Sequence, residues 1–399
     1  MDETMNSFAA AYIVDGYVDL REDKGTAMKT DIIVVGGYGH VGGKICNQLA
    51  IHYPGNVYAA GRSLARAEQF CQSGGGKVKP LRISVEEPLK KQQLERVKLV
   101  VMCLDQMDTA FAEACLLAGA DYVDVSANGA FFAAMEQLNK RVNDQQGTAV
   151  LSVGLAPGLT NLLALKAVQS MDEVQRIDIG IMLGLGDAHG KAAIEWTVDS
   201  LSRSFHITES GSARRVSSFT EGLKTDFGAD LKVRTAYRFP FSDQETLPHT
   251  LGVPSVSTRL CFDSRIVTSA IALFKGLGFD RLLRLKPMRS LAIQLLGKLR
   301  VGSARYAVKI TGYGVKSGAE TLIEFGLQGT EEAEITAQTA IAVTMAVYSS
   351  NLPKGVFHIE QLFELDLYET KLELRLKEDE NKLSIAAISN IESWTRMNM

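Results

Sequence analysis

The residues best suited by type and spacing to do chemistry stand near the start of the chain. Gly37-Tyr38-Gly39-His40-Val41-Gly42 follows the apolar run Asp31 to Gly36 (DIIVVG) without a gap and leads into Val41, Ile45, Leu49 and Ile51, a helical stripe. Strand, glycine turn and helix in that order make a cradle for linked phosphates. Gly37 permits the tight turn, Gly39 lets the main chain approach a pyrophosphate, and Gly42 lets the helix sit close to the strand. Free amides at the helix's positive end then hold the charge. Tyr38, His40 and Val41 complete the loop. A second strand is predicted over Asn56 to Gly61 (NVYAAG), ending in Gly61-Arg62-Ser63. An acid there would read the 2′-hydroxyl of NAD, whereas Arg62 and the Ser63 hydroxyl suit the 2′-phosphate of NADP. The expected cofactor is therefore NADP, with NAD as the alternative.

A second group of titratable side chains lies in Gly186-Asp187-Ala188-His189-Gly190-Lys191, between an alternating strand (Arg176 to Leu183) and a helix predicted over Ala192 to Phe205. If this junction faces the cofactor, His189 or Lys191 can serve as an acid, with Asp187 orienting it. A solvated turn opening a helix is the competing reading. Arg238, in RFPFSDQ, and Arg259 are candidates for contacts to a substrate carboxylate. The six histidines are scattered without metal-ligand spacing, and no Ser-His-acid order with a nucleophile elbow occurs, so no metal is expected. Five cysteines, odd in number and without a C-x-x-C pair, argue against a disulfide framework and for a reducing, cytoplasmic compartment.

The elements that must position these groups alternate. Strands are predicted at Lys77 to Val85, Val97 to Leu104, Asp121 to Val125 and Thr148 to Gly154, with helices at Ala110 to Gly119 and Gly129 to Asp144 between them. This is the pattern of an α/β fold with a doubly wound parallel sheet, whose ligands sit beyond the carboxyl ends of the strands. Leu104, Asp105, Gln106, Ser126, Ala127, Asn128, Leu155, Ala156 and Pro157 fall there, with helix capping as the competing role for Asp105 and Ser126. Beyond, period-2 alternation at Arg176 to Leu183, Arg305 to Thr311 and Thr321 to Leu327 predicts a second, α+β domain containing an antiparallel sheet. Helices are expected at Ala192 to Phe205, Ile266 to Leu283 and Glu332 to Ser350, and a late hairpin strand around Leu372 to Leu376. The domains expected are a cofactor domain at 28–158, a substrate and oligomerisation domain at 159–350, and a segment at 351–399 returning to the first. Residues 1–27 read as a loosely ordered extension and carry no signal-peptide pattern.

With 43 Lys+Arg against 46 Asp+Glu, 46% apolar and 22% charged residues, the chain has an ordinary globular composition. No global field draws it to nucleic acid, and no apolar run reaches membrane-spanning length. From Arg281 to Ala319, however, there are nine basic residues and no acid, interleaved with leucines from Leu282 to Leu299. Three readings compete: a solvated face, a membrane-surface contact, or a wall that attracts an anionic substrate.

GGYGHVGG (36–43), GRS (61–63), VVMCLDQMDTAFAEACLLAGADYVDVS (100–126), GLAPGLTNLLA (154–164) and PKGVFHIEQLF (353–363) together resemble the saccharopine dehydrogenase-like family of NAD(P)-binding oxidoreductases. The resemblance implies a Rossmann-type domain, a carboxyl-terminal domain forming the substrate wall, hydride transfer at an imine carbon of an amino-acid-like substrate, and a homodimer. By matched position it places Gly37, Gly39, His40, Val41, Gly42, Arg62, Ser63, Leu104 and Ser126 around the cofactor. Saccharopine reductases usually carry an Asp before the Pro-Gly of the 154–164 turn and an acid-His pair after it. This chain has Ala156 and Thr160-Asn161, so the small-molecule substrate is not identified by membership. Two rivals are reduction of a conjugated carbon-carbon double bond, which requires an apolar pocket, and a non-catalytic NADP-binding sensor.

Overall fold

The computed structural model describes residues 28–141, 146–187, 189–298, 301–377 and 386–398. The predicted extension at 1–27 lies outside them. Short β-branched runs form a parallel sheet of β1 (Asp31–Val35), β2 (Val57–Gly61), β3 (Lys79–Arg82), β4 (Val97–Met102), β5 (Asp121–Asp124) and β6 (Thr148–Leu151). Helices α1 (His40–His52), α2 (Leu64–Ser73), α3 (Lys91–Leu94), α4 (Ala110–Leu117) and α5 (Gly129–Arg141) connect them. Asp31–Val35 is buried throughout, as a strand covered on both faces must be. The spatial order is β6-β5-β4-β1-β2-β3, so the direction of winding reverses beside β1, where the glycine turn leaves the sheet.

The next stretch supplies α6 (Thr160–Gln169), β7 (Glu173–Leu183), α7 (Lys191–Leu201), β8 (Ser204–Glu209), β9 (Ser212–Ser217), β10 (Leu223–Asp226), β11 (Val233–Arg238), α8 (Asp243–Thr250) and β12 (Val256–Phe262). Then come α9 (Arg265–Gly276), α10 (Lys286–Lys298), β13 (Arg305–Lys316), β14 (Ala319–Thr330) and α11 (Glu332–Ser349). The final elements are β15 (Gly355–His358), α12 (Ile359–Leu362), β16 (Phe363–Tyr368), β17 (Lys371–Leu376), β18 (Ala386–Ser389) and β19 (Ile391–Asn398). A nine-stranded sheet has the path β10-β11-β12-β7-β13-β14-β19, with β8 and β9 beside β12. It is antiparallel apart from the β12–β7 pair. The fold is thus α/β with a second, mixed sheet.

One helix departs from the sequence expectation, and the late hairpin finds its place. The single helix predicted over Ile266 to Leu283 is two pieces, α9 and a 3₁₀ turn at Phe279–Arg284, separated at Gly278, whose φ of +77° suits glycine. The strand at Leu372 to Leu376 belongs to a separate three-stranded antiparallel sheet, β16-β17-β18. Late in the chain, β15 joins the edge of the first sheet, parallel to β6. Helix α11 packs beside α1, where Lys44 meets Glu334 at 2.7 Å. One continuous apolar core runs from Ile32, Val34 and Leu99 under α1 and α11 to Ile177, Ile179 and Ile181 of β7, and so locks the two sheets together.

Candidate active site

The glycine loop is built as the phosphate reading requires. Gly36 leaves β1 at φ +80°, and a Cβ on Gly42 would stand 2.3 Å from the Gly36 carbonyl oxygen. Gly37 is buried, and a Cβ there would press on Val34 O at 2.6 Å, so its role is packing beneath the loop. Gly39 caps α1 from the open side of the loop, without a side chain over the first-turn amides. Those amides, beside Gly36, Gly39, His40, Val41 and Gly42, face a cavity of about 390 Å³. The cradle that a Cβ would fill and the uncapped helix start together fit a pyrophosphate.

A second, larger cleft of about 1010 Å³ continues past the end of β2 and is lined by Tyr38, Gly61, Arg62 and Arg66, among others. Arg62 is exposed there, and the Arg66 guanidinium lies 5.0 Å from the Tyr38 ring centre. Arg66, four residues beyond Arg62 in the first turn of α2, escaped the sequence reading; a second cation at that spacing is the signal that finds it. Ser63 is a correction. It lines neither cavity, and its Oγ accepts the Arg66 N–H at 3.3 Å as the cap of α2; the Ser63 N–H donates to Tyr38 Oη at 3.2 Å.

The first cavity opens where β4, β5 and β6 end, against the second sheet. Leu104, Val125, Leu155, Leu183, Leu185, Ile194, Trp196, Phe241, Phe262 and Leu296 make its apolar walls. Asp105 stands at the mouth shared by both clefts; its surface is open, yet the surrounding walls push its carboxyl above the ordinary value. Ser126 lines the cavity and does not cap a helix. Its N–H and hydroxyl both donate to Asp124 Oδ1, at 2.8 and 2.5 Å, while Tyr122 donates to Oδ2 at 3.2 Å. Burial pushes Asp124 up to about 6 against these bonds, so it anchors the end of β5 rather than facing a ligand. Cys103 also lines the cavity, but burial raises its thiol far from a nucleophile's range.

Residues 32–150 match the family model described as the saccharopine dehydrogenase NADP binding domain. The match spans the first sheet from β1 to β6. Among solved structures, it is similar to the apo saccharopine dehydrogenase (L-Glu forming) of Saccharomyces cerevisiae, with 14% identity and a TM-score of 0.59, covering 83% of this chain and 95% of that one. It is also similar to the C. glutamicum DAP dehydrogenase in complex with DAP, with 12% identity and a TM-score of 0.41, covering 84% and 94%. The yeast match extends the likeness in fold beyond the NADP-binding domain into the second sheet. A comparison with curated protein sequences finds no match.

Opposite the NADP-binding domain, the 187–191 junction does reach the cavity, but its three side chains part ways. His189 lines the wall, with Nε2 2.8 Å from the Gly184 carbonyl and Nδ1 3.4 Å from Glu332 Oε2. Hydrogen bonding to Glu332 raises its pKa, so His189 holds its proton more firmly than a free imidazole. Asp187 accepts the Glu332 N–H at 2.9 Å and sets the start of α11. The acid that His189 meets through Nδ1 is Glu332, which is distant in sequence. Lys191 also lines the cavity, with its side chain 84% exposed and Nζ 3.7 Å from Glu195 Oε1.

Arg238 and Arg259 are corrected as substrate contacts. On β12, Leu260 and Phe262 share a face with Ile181 and Leu183, which leads to the cavity; Arg259 pairs with Gly180 and with Arg238 on the opposite face. There Arg238 Nη2 meets Glu221 at 3.0 Å, and Arg259 Nη1 donates to Ser257 Oγ at 2.8 Å and lies 3.5 Å from Asp178. A one-residue step along a strand turns a side chain away, and sequence alone did not show which face carried the ligand. Among the described residues lining the first cavity there is no arginine.

Away from the cavity, Thr160 and Asn161 of the 154–164 turn are fully buried. Asn161 Oδ1 accepts the Gly158 N–H at 3.1 Å, and its amide donates to Glu360 at 3.0 Å. Nearby, Glu136 Oε1 lies 2.8 Å from Nε2 of both His249 and His358, and Ser152 Oγ is 2.7 Å from His358 Nδ1. Sequence spacing gave no hint of this cluster, since its members come from α5, α8 and the end of β15.

Proposed function

We propose that this protein is an NADPH-dependent reductase whose substrate is apolar at its reacting end, with a conjugated double bond as the acceptor. The observation that carries this reading is the wall of the first cavity: leucine, isoleucine, tryptophan and phenylalanine side chains predominate, no arginine is among the described lining residues, and His40, His189 and Lys191 are its basic members. The preference for NADP over NAD rests on Arg62 and Arg66 at the end of β2, where a 2′-phosphate meets two cations and no acid occupies the ribose-reading position after Gly61. Bound in the cleft, NADPH supplies a hydride from its nicotinamide ring. The chain's own residues hold the phosphates on the α1 amides, exclude water with apolar walls, and keep a proton on His189 through Glu332.

A second reading, hydride transfer at the imine carbon of an amino-acid-like substrate, draws on the same His189 proton. It also needs cations for a carboxylate, and Arg238 and Arg259 are engaged on the far face of the sheet. The test is NADPH consumption by the purified protein against two panels: conjugated enoyl compounds, and amino acids paired with oxo acids. Turnover of enoyl compounds alone is the expected result. Turnover confined to the amino-acid panel transfers the assignment to the imine reading. NADPH binding with no turnover on either panel leaves a sensor. His189→Gln is expected to slow turnover at least tenfold with unchanged NADPH affinity if the imidazole delivers the proton.

A further inference from the structure

We propose that the segment from α9 through α10 docks on an anionic lipid bilayer, lying in its surface plane. Among the described residues, nineteen large apolar side chains are exposed, and ten of them fall between 266 and 301. Ile266, Leu273, Leu277, Leu285, Leu291 and Leu295 each keep at least 46% of their surface open. The spacing is helical. Ile266, Leu273 and Leu277 follow one side of α9, and Met288, Leu291 and Leu295 one side of α10, so the outward faces are apolar where a water-facing helix would carry charge. Scattered exposed leucines need no explanation, but apolar stripes on two successive helices that both pack on the Phe279–Arg284 turn mark a surface that meets something apolar.

Charge selects the occupant. Residues 265–298 hold seven Lys and Arg and one acid, Asp280, which is buried against Lys275 at 2.7 Å. Arg265, Arg281, Arg284, Lys286 and Lys298 are exposed beside the leucines. A second copy of the same face would bring like charges together, whereas anionic headgroups are attracted to it as acyl chains receive the leucines. No described helix is long and apolar enough to cross a membrane, so the geometry is docking on the surface. On its inner side α10 contributes Leu296 to the cavity wall, next to Ile194 and Trp196 of α7. Lipid docking stands without the proposed function; if both hold, an apolar substrate reaches the cavity beneath α10 from the bilayer.

The experiment is co-sedimentation of the full chain with phosphatidylcholine vesicles, with and without phosphatidylserine, at low and high salt, with NADPH affinity measured on every variant. Binding is expected to vesicles containing phosphatidylserine and to weaken with salt. Arg281→Ala with Arg284→Ala should lower the partition coefficient roughly 30-fold. Leu291→Ser with Leu295→Ser should abolish binding, and all variants should keep the parent's NADPH affinity. No sedimentation with either vesicle overturns the proposal, as does parental binding by the leucine variant. A concentration-dependent dimer that the leucine variant loses, without vesicle binding, assigns the surface to a second copy instead. A parent that pellets with vesicles but fails to bind NADPH would sink the cofactor reading and leave this one standing.

Discussion

In the proposed function, phosphate binding turns on Gly39, because the open side of the loop has no side chain there. Gly39→Val is expected to abolish NADPH binding, read by titration of cofactor fluorescence, while the thermal midpoint stays near the parent's. Arg62→Asp should weaken NADPH roughly 30-fold and NADH far less, since a charge-assisted contact is worth about 2 kcal/mol. Equal losses would return the 2′-position to NAD. The Glu136 cluster makes a pH prediction. Hydrogen bonds from His249 and His358 hold the Glu136 carboxyl down to about 2. Its contribution is complete above the ordinary 4.5 and drains away as pH falls from there toward about 2. Hydrogen bonding to Glu136 raises His249 above 6.5, so that contribution is full below 6.5 and is lost as pH rises through the higher folded value. Thermal midpoints of the parent against Glu136→Gln across pH should differ most between about 4.5 and 6.5.

The strands and helices of the first domain were legible because each is a local pattern: a β-branched run, a glycine turn, an apolar stripe. The loop after β1 needs only neighbours in sequence to hold its shape, and it leads from strand to helix where the spacing predicted, with Gly36 rather than Gly37 taking the positive φ. Junctions between distant elements were not legible. Asn161 reads as an ordinary polar residue after Pro-Gly, yet it binds the turn's own Gly158 amide and Glu360 of α12, both deep in the protein. Asn161→Ala should therefore destabilise the fold by about 1–3 kcal/mol, seen as a shifted denaturant midpoint with an unchanged slope. The same change on an exposed turn would pass unnoticed. The α9–α10 stretch was legible as basic and leucine-rich, but its periodicity cannot say whether the leucines point to a core or to solvent.

Across the whole molecule, the cavity is assembled from the ends of β4, β5 and β6 on one side and from β7, β12, α7, α10 and α11 on the other. Glu332, Trp196, Phe241 and Phe262 enter it from separate parts of the chain, and none carries a sequence signal of a site. The substrate preference of the purified protein is the property that tests this assembly, and on the proposed function substituting Trp196 by Ala should raise the KM for apolar substrates while sparing NADPH affinity. The glycine loop was readable in one dimension, because its shape rests on main-chain groups within a contiguous strand, turn and helix. The arginines were the opposite case: their residue type suggested carboxylate binding, but strand pairing sent them to the face away from the cavity. Side-chain direction on a sheet alternates with every residue, and which face meets the cofactor is set by packing between the two sheets, a relation that no local pattern encodes.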